Sequence, residues 1–378
     1  MHRAAHAIVS TLPLDVIGGG ETFTLNAHRA ALREPGAADL WCAASPHTET
    51  APQSARLAHR YRRLAQVDGV RSVVEETTFD DLLRRLARHD TVVIHQHLAS
   101  LATVDMLAAA TPWQRLVLTS LGAEGQTTLF RQSFEPHVGV SVAEISRYAA
   151  ERSRRGGIPA TAVSAGVWRC DFRDPFPKST TGPLRTVSVG RILPHKCFEV
   201  AVEAVGRDHE LTIVGPDSGD ADYQRFLAAR VAAAAGNVRC TGYVDDATRT
   251  ALVAAADVLL ANSSHVTYAG DTLDQAELFG LVVLEAVAVG TLPITSDIPS
   301  FREIMEDLAL ADWIYPQRDA TALAALLARV RGLPPQALRD RVDAARERAE
   351  RLFLWDTYWR RLMEAAASRP TADRIPVS

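Results

Sequence analysis

Short apolar runs alternate with helix-period segments from one end of this chain to the other, and that alternation leaves few folds open. In the first half, runs near residues 6–12, 40–43, 91–95 and 116–118 read as strands, with helical periodicity over 22–33 and 80–88. The second half repeats the scheme. Strands are expected near 185–189, 211–214, 238–241, 258–261 and 292–295, and helices near 197–206, 223–235, 246–255 and 281–289. Alternation on this scale predicts α/β architecture, with parallel sheets wrapped by helices.

Residues 173–183, rich in proline and small polar side chains, make the best linker and fall near the middle of the 378 residues. With ~150 residues per domain as a soft prior, two domains are expected. The division reads as a Rossmann-like N-terminal domain over 1–176, a linker over 177–184, and a second Rossmann-like domain over 185–350. A final helix and tail, 351–378, would return to the N-terminal domain. Trp355, Tyr358 and Trp359 lie at helical spacing with Leu352 and Leu362, as core packing of a last helix requires. Two such domains would face each other across a cleft, with ligands beyond the carboxyl ends of the strands.

Composition narrows the partners. A net charge of −4 argues against nucleic acid. No apolar run is long enough for a membrane span, and the first residues lack the apolar region of a signal peptide. Cys42, Cys170, Cys197 and Cys240 are far apart, without metal or redox spacing, which points to a reducing cytoplasmic setting. The arginines around Arg60–Arg63 could meet an anionic surface, although a solvated helix face explains them better. Peripheral membrane contact is therefore possible but not indicated.

The chemistry-bearing residues gather in the second half. The run from Glu277 through Leu278-Phe279-Gly280-Leu281 to Glu285 puts two carboxylates eight positions apart. Upstream, Val189-Gly190-Arg191 leads to Lys196 in a strand–loop–helix context. Only Lys178 and Lys196 are lysines among the 41 basic residues, so this chain favours arginine strongly. Arg191 can offer a planar fork and Lys196 a compact point charge to one diphosphate. Two solvated surface cations are the plain alternative.

Residues 281–289 read as an almost wholly apolar, buried helix, and a carboxylate in such a helix needs partners. Glu285 can accept hydrogen bonds from two vicinal hydroxyls, or it can pair with an arginine. The amides of Phe279, Gly280 and Leu281 at the helix N-terminus suit an anion. Two carboxylates and two cations together fit a ligand bearing both hydroxyls and phosphates, as a nucleotide-sugar does.

Glu277-x7-Glu285 with Phe279-Gly280-Leu281 inside it, Val189-Gly190-Arg191-x4-Lys196, and Glu285-Ala286 leading to Gly290-Thr291 resemble the family 4 retaining glycosyltransferases (glycosyltransferase group 1) of the GT-B fold. Val163–Val167 with Asp171-Phe172-Arg173 resembles the segment before that family's interdomain linker. Thr241–Val244 is similar to its next loop, and Trp355 to the tryptophan of its returning helix. The resemblance is strong over 185–305 and weaker upstream. It implies that Arg191 and Lys196 hold the donor diphosphate, Glu285 the ribose hydroxyls, and Glu277 the transferred sugar. It implies front-face attack, with no protein nucleophile, no cofactor and no required metal.

Two N-terminal candidates follow. Gly18 and Gly19, within Ile17–Glu21, resemble the family's Gly-Gly loop, although a flexible turn explains a glycine triplet equally well. His95 and His97 share a strand face, and His97 lies nearer the carboxyl end. The family's sugar-contacting histidine maps to His97, with His95 second. Core histidines are the alternative reading. A metal pair is discounted for want of a third ligand. Asp220-Ala221-Asp222 opens a helix and reads as capping rather than as a cation site.

Departures from the family are a longer loop over 263–277, Leu278 in place of a small residue, and Trp168 where an aspartate is common. They bear on sugar and acceptor, not on the nucleotide. The expected partners are a nucleotide-sugar donor, UDP-linked first and GDP-linked second, and a hydroxyl-bearing small-molecule or cell-envelope acceptor. A nucleotide-sugar epimerase and a non-catalytic nucleotide-sugar-binding protein are the rival readings.

Overall fold

The computed structural model describes residues 6–10, 19–34, 38–42, 66–67, 70–71, 74–76, 78–86, 88–95, 115–120, 140–172, 182–217, 219–274 and 276–367. The chain divides into two compact units, Met1–Ala165 with Trp355–Ser378, and Gly166–Leu354. Most of the linker expected over 177–184 lies outside the described residues.

The first unit is built on a sheet of β1 (His6–Ser10), β2 (Ala38–Cys42), β5 (Val74–Glu76), β6 (Thr91–His95), β7 (Arg115–Ser120), β8 (Val140–Glu144) and β9 (Ala160–Ala162). Its order is β5-β2-β1-β6-β7-β8-β9, all parallel. β3 (Gln66–Val67) and β4 (Val70–Arg71) form a separate small hairpin. Ile8, Val93 and Val117 are buried on one face of the sheet and Ala7, Val92 and Leu118 on the other. That double burial is why these strands read as continuous apolar runs instead of alternating ones. The tail completes this unit. Phe23, on the helix Gly19–Ala31, meets Trp355 and Tyr358 edge-on at 5.3 and 5.5 Å. Arg33 pairs with Asp356 at 2.5 Å, and Ser141 Oγ donates to the Ala366 carbonyl at 3.2 Å.

The second unit carries β10 (Leu184–Val189), β11 (His209–Val214), β12 (Asn237–Cys240), β13 (Val258–Ala261), β14 (Leu292–Ser296) and β15 (Ile314–Tyr315). Their order is β12-β11-β10-β13-β14-β15, again all parallel. The chain steps outward from β10 to one side and then returns to β13 beside it. This doubly wound order leaves a switch point at the carboxyl ends of β10 and β13, where α/β sheets hold ligands. Aspartates set the helix starts: Asp220 accepts from the Tyr223 amide, Asp245 from Thr248 and Asp319 from Ala322. Asp220 therefore caps, and Asp222 pairs with Arg225 on the same helix. Among the described residues, no helix is long and apolar enough to cross a membrane.

Candidate functional site

β10 ends at Gly190, whose backbone lies against β11's exit. A Cβ on Gly215 would sit 1.8 Å from the Gly190 carbonyl oxygen, so only glycine lets these two strand ends approach. The chain then turns through Arg191 into a short 3-10 turn, Pro194–Lys196, and enters the helix Phe198–Ala204. Arg191 is exposed and makes no ion pair with a described residue. Lys196, five residues on, turns inward and its ammonium meets the Glu277 carboxylate.

Glu277 approaches from the loop ahead of the helix Leu281–Ala288. Its second oxygen accepts from the Leu278 amide at 3.3 Å, and Ser300 Oγ donates to its carbonyl at 3.0 Å. Burial pushes the Glu277 carboxyl up, but the Lys196 charge and hydrogen bond, His195 and the Leu278 amide outweigh it, leaving it below the ordinary value. Neighbouring His195 is driven down to about 4 by burial and then by Lys196; Glu277 opposes this and Arg191 adds to it. Arg191, His195, Lys196 and Glu277 thus form one electrostatic cluster at the carboxyl end of β10.

Gly280 caps the helix Leu281–Ala288 in a left-handed conformation, φ 108°. The ring of Phe301 fills the space where a side chain would stand, 2.6 Å from an added Cβ. Phe279 is buried and packs edge-on against Phe353 at 6.1 Å. The Val283 amide donates to the carbonyl of the capping Gly280 at 2.9 Å, closing the first turn of this helix.

Glu285 departs from the expected buried carboxylate. Leu281, Val282 and Glu285 form the half-buried edge of the helix, and the Glu285 side chain keeps 28% of its exposure. Its Oε2 accepts from Arg249 Nη1 at 2.5 Å, so the arginine pairing weighed against a ligand role does exist. Oε1 accepts nothing from a described residue and remains open. Arg249 stands on the helix Asp246–Ala255, with Asp246 also 3.6 Å from its guanidinium. Sequence reasoning missed Arg249; the N-capping Asp245-Asp246 pair four and three residues earlier was the only local signal.

The N-terminal candidates fare differently. Gly18 and His97 lie outside the described residues, and Gly19 opens the helix Gly19–Ala31. His95 ends β6 fully buried, edge-on to Phe23 at 5.3 Å, with neither ring nitrogen hydrogen-bonded to a described residue. Burial, and secondarily His28, push it down to about 3, so it is neutral.

The long loop after β13 is an ordered hairpin. Val266 bridges Thr272 antiparallel, and the Leu273 amide donates to the His265 carbonyl at 2.7 Å. Tyr268 stacks on Phe226 at 4.5 Å, holding the tip against the helix Ala221–Ala232.

Residues 172–348 match the family model of glycosyl transferases group 1. Among curated proteins, the phosphatidyl-myo-inositol mannosyltransferase of Mycolicibacterium smegmatis is 30% identical over 259 residues, which is 64% of this chain and 62% of that protein. The phosphatidyl-myo-inositol mannosyltransferase of Mycobacterium tuberculosis strain H37Rv is 33% identical over 179 residues, 45% of this chain and 43% of the relative. The chain thus aligns with less than two thirds of these relatives' lengths. Two solved structures share its fold. Anabaena HepE, in complex with UDP and glucose, superposes with a TM-score of 0.74 at 14% identity, covering 96% of this chain and 100% of that one. The sucrose-phosphate synthase of Thermosynechococcus elongatus gives 0.67 at 17%, covering 95% and 97%. The match to glycosyl transferases group 1 thus spans a little under half of the chain, and the chain has the GT-B fold, with two α/β units.

Proposed function

We infer from the match over residues 172–348 and from the fold that the protein is a retaining glycosyltransferase of family 4 type. It moves a sugar from a nucleotide-diphosphate sugar to an acceptor hydroxyl. The observation that carries the reading is the contact of Lys196 with Glu277 beside the exposed Arg191, next to the N-terminus of the helix that bears Glu285. Cations, a helix N-terminus and carboxylates lie within one unit at the carboxyl end of its sheet.

Arg191 and Lys196 stabilise the charge that grows on the leaving diphosphate, with the amides of Phe279, Gly280 and Leu281 adding fixed dipoles. Glu285 takes the ribose hydroxyls on its open oxygen, and Glu277 orients the transferred sugar. The bond from the anomeric carbon to the diphosphate oxygen breaks, and a bond from that carbon to the acceptor oxygen forms on the same face. The acceptor proton passes to the departing phosphate oxygen, so no protein base is needed. Two cations and a helix end supply what a divalent metal would otherwise provide.

UDP is the first donor nucleotide and GDP the second. The names of the mannosyltransferase relatives favour a mannosyl group and an inositol-bearing acceptor as the next substrates to try. Calorimetric titration of the purified protein with UDP and then GDP, in the presence of a chelator, tests the reading. Saturable binding that weakens strongly but stays measurable in Lys196→Ala supports it. No binding of either nucleotide removes it while leaving the fold intact. Conversion of the donor sugar without acceptor would identify an epimerase, and tight binding without consumption a binding protein.

A further inference from the structure

Three described residues of the second unit other than glycine adopt left-handed backbone, and two of them, Cys197, φ 46°, and Arg318, φ 63°, touch each other; the third is Ala309. Such a conformation is uncommon for either residue type and persists only where surroundings hold it. Here the surroundings are specific. Arg318 Nη1 lies 3.3 Å from Glu199 Oε1, 3.2 Å from the Val266 carbonyl oxygen and 3.8 Å from Cys197 Sγ. Glu199 is only 2% exposed, and its other oxygen accepts from the Tyr223 hydroxyl at 2.8 Å. That hydroxyl in turn accepts from the Phe198 amide at 2.9 Å. The charge of Arg318 therefore satisfies a buried carboxylate one turn beyond Lys196.

The preceding residue grips the hairpin. Gln317 Oε1 accepts from the His265 amide at 2.8 Å and from Ser264 Oγ at 3.2 Å, while Gln317 Nε2 donates to the Asp297 carbonyl at 2.8 Å. Ser264 closes the ring, its amide donating to the His195 carbonyl at 2.9 Å. Three segments distant in sequence, 194–199, 264–266 and 317–318, are thereby fastened together around the residue that precedes Cys197. That residue is Lys196.

We propose that Gln317 and Arg318 are positioning residues for Lys196: they lock the 194–197 turn to the hairpin, so that the ammonium is held at the donor diphosphate and any displacement of the hairpin reaches it. The proposal rests on the donor-site reading for what Lys196 does, and on the hydrogen-bonded ring for how Lys196 is held. Neither residue touches the donor itself. Their effect is expected to pass through Lys196 alone.

Arg318→Gly tests this directly, because glycine accepts the left-handed backbone without strain while the guanidinium is lost. Hydrogen exchange at the Lys196 and Cys197 amides needs no ligand and should quicken about tenfold as the turn loosens. UDP affinity, read by calorimetry, should fall about tenfold in Arg318→Gly and not fall further when Arg318→Gly is added to Lys196→Ala. Equal losses in the two backgrounds, or unchanged exchange at the turn, would overturn the proposal. Should the buried carboxylate of Glu199, deprived of Arg318, prevent folding, Gln317→Ala removes the hairpin grip while leaving the ion pair, and the same two readouts apply. If the wild type binds neither UDP nor GDP, the donor reading fails, and exchange at the turn still decides whether the clamp exists.

Discussion

The Lys196 ammonium rests on the Glu277 carboxylate, 81 residues later in the chain. Lys196 is thus paired in the free protein, and on the proposed function an incoming diphosphate would share or replace that partner. On the same proposal, removing the lysine deletes one charge that stabilises the leaving group, and it takes from Glu277 the ammonium beside it. Turnover of Lys196→Ala should fall roughly 10²–10³-fold, the range for loss of one such donor. Lys196→Arg should recover only part of it, because a planar fork does not reproduce a compact ammonium. Initial rates at saturating donor decide the matter, and a near-normal rate in the alanine variant would sink the site assignment.

Glu285 and Arg249 form a pair whose side chains are 28% and 27% exposed. A pair so wet contributes little to stability, about 1 kcal/mol or less. Glu285→Ala should therefore melt close to the wild type while binding nucleotide about tenfold or more weakly, since hydrogen bonds to a charged acceptor are lost. Melting and calorimetric titration on the same samples separate the two readings. A large drop in melting temperature with intact nucleotide binding would mark the pair as structural.

Much of this was legible in the sequence, and the reason is locality. β10, β11, β13 and β14 are apolar runs enclosed by helices, and each falls where the alternation places it. β5, β9 and β15 are three residues or fewer and carry no period to detect. β8, with Ser141 and Glu144 among its five residues, lacks the continuous apolar run of its neighbours. The site divides the same way. Arg191 with Lys196, and Glu277 with Glu285, are close in sequence and stood out. The long-range pairings around them did not, because Arg249 is 36 residues from Glu285, and Arg318 is 119 from Glu199, which follows Lys196 in the next helix. Nothing local selects one arginine of so many for a distant carboxylate.

Acid should weaken the first unit before pH reaches the carboxylate range. His95 is held at about 3 by burial, and His28 at about 4 for the same reason, against 6.5 when unfolded. Both folded values are depressed, so the unfolded chain binds protons that the folded chain refuses. Their contribution to stability is whole above pH 6.5 and declines as pH falls toward 3–4. Each histidine costs about 1.4 kcal/mol per pH unit within its window. His95→Phe removes two buried ring nitrogens that have no partner among the described residues, and one of the two titrations. Its melting temperature should exceed the wild type's most clearly at the acid end of a series from neutral to acid. Parallel curves for the two proteins would refute the assignment.

Gly280 ties the geometry of the nucleotide end to the core. Its φ of 108° starts the helix Leu281–Ala288, and an added Cβ would stand 2.6 and 2.8 Å from two ring carbons of Phe301. Gly280→Ala therefore incurs two penalties, one for a backbone that side chains rarely adopt and one for overlap with a buried ring. Each is on the order of 1–3 kcal/mol. For a unit of this size every 1 kcal/mol lowers the melting temperature by about 2–4 °C. The two penalties separate in the double variant Gly280→Ala/Phe301→Leu. Relative to Phe301→Leu alone, the added alanine should then carry only the backbone part. If the alanine penalty is unchanged by the smaller side chain, the ring is not what excludes it. Nucleotide affinity should fall in Gly280→Ala and stay low in the double variant, because the helix amides remain displaced even after the overlap is relieved.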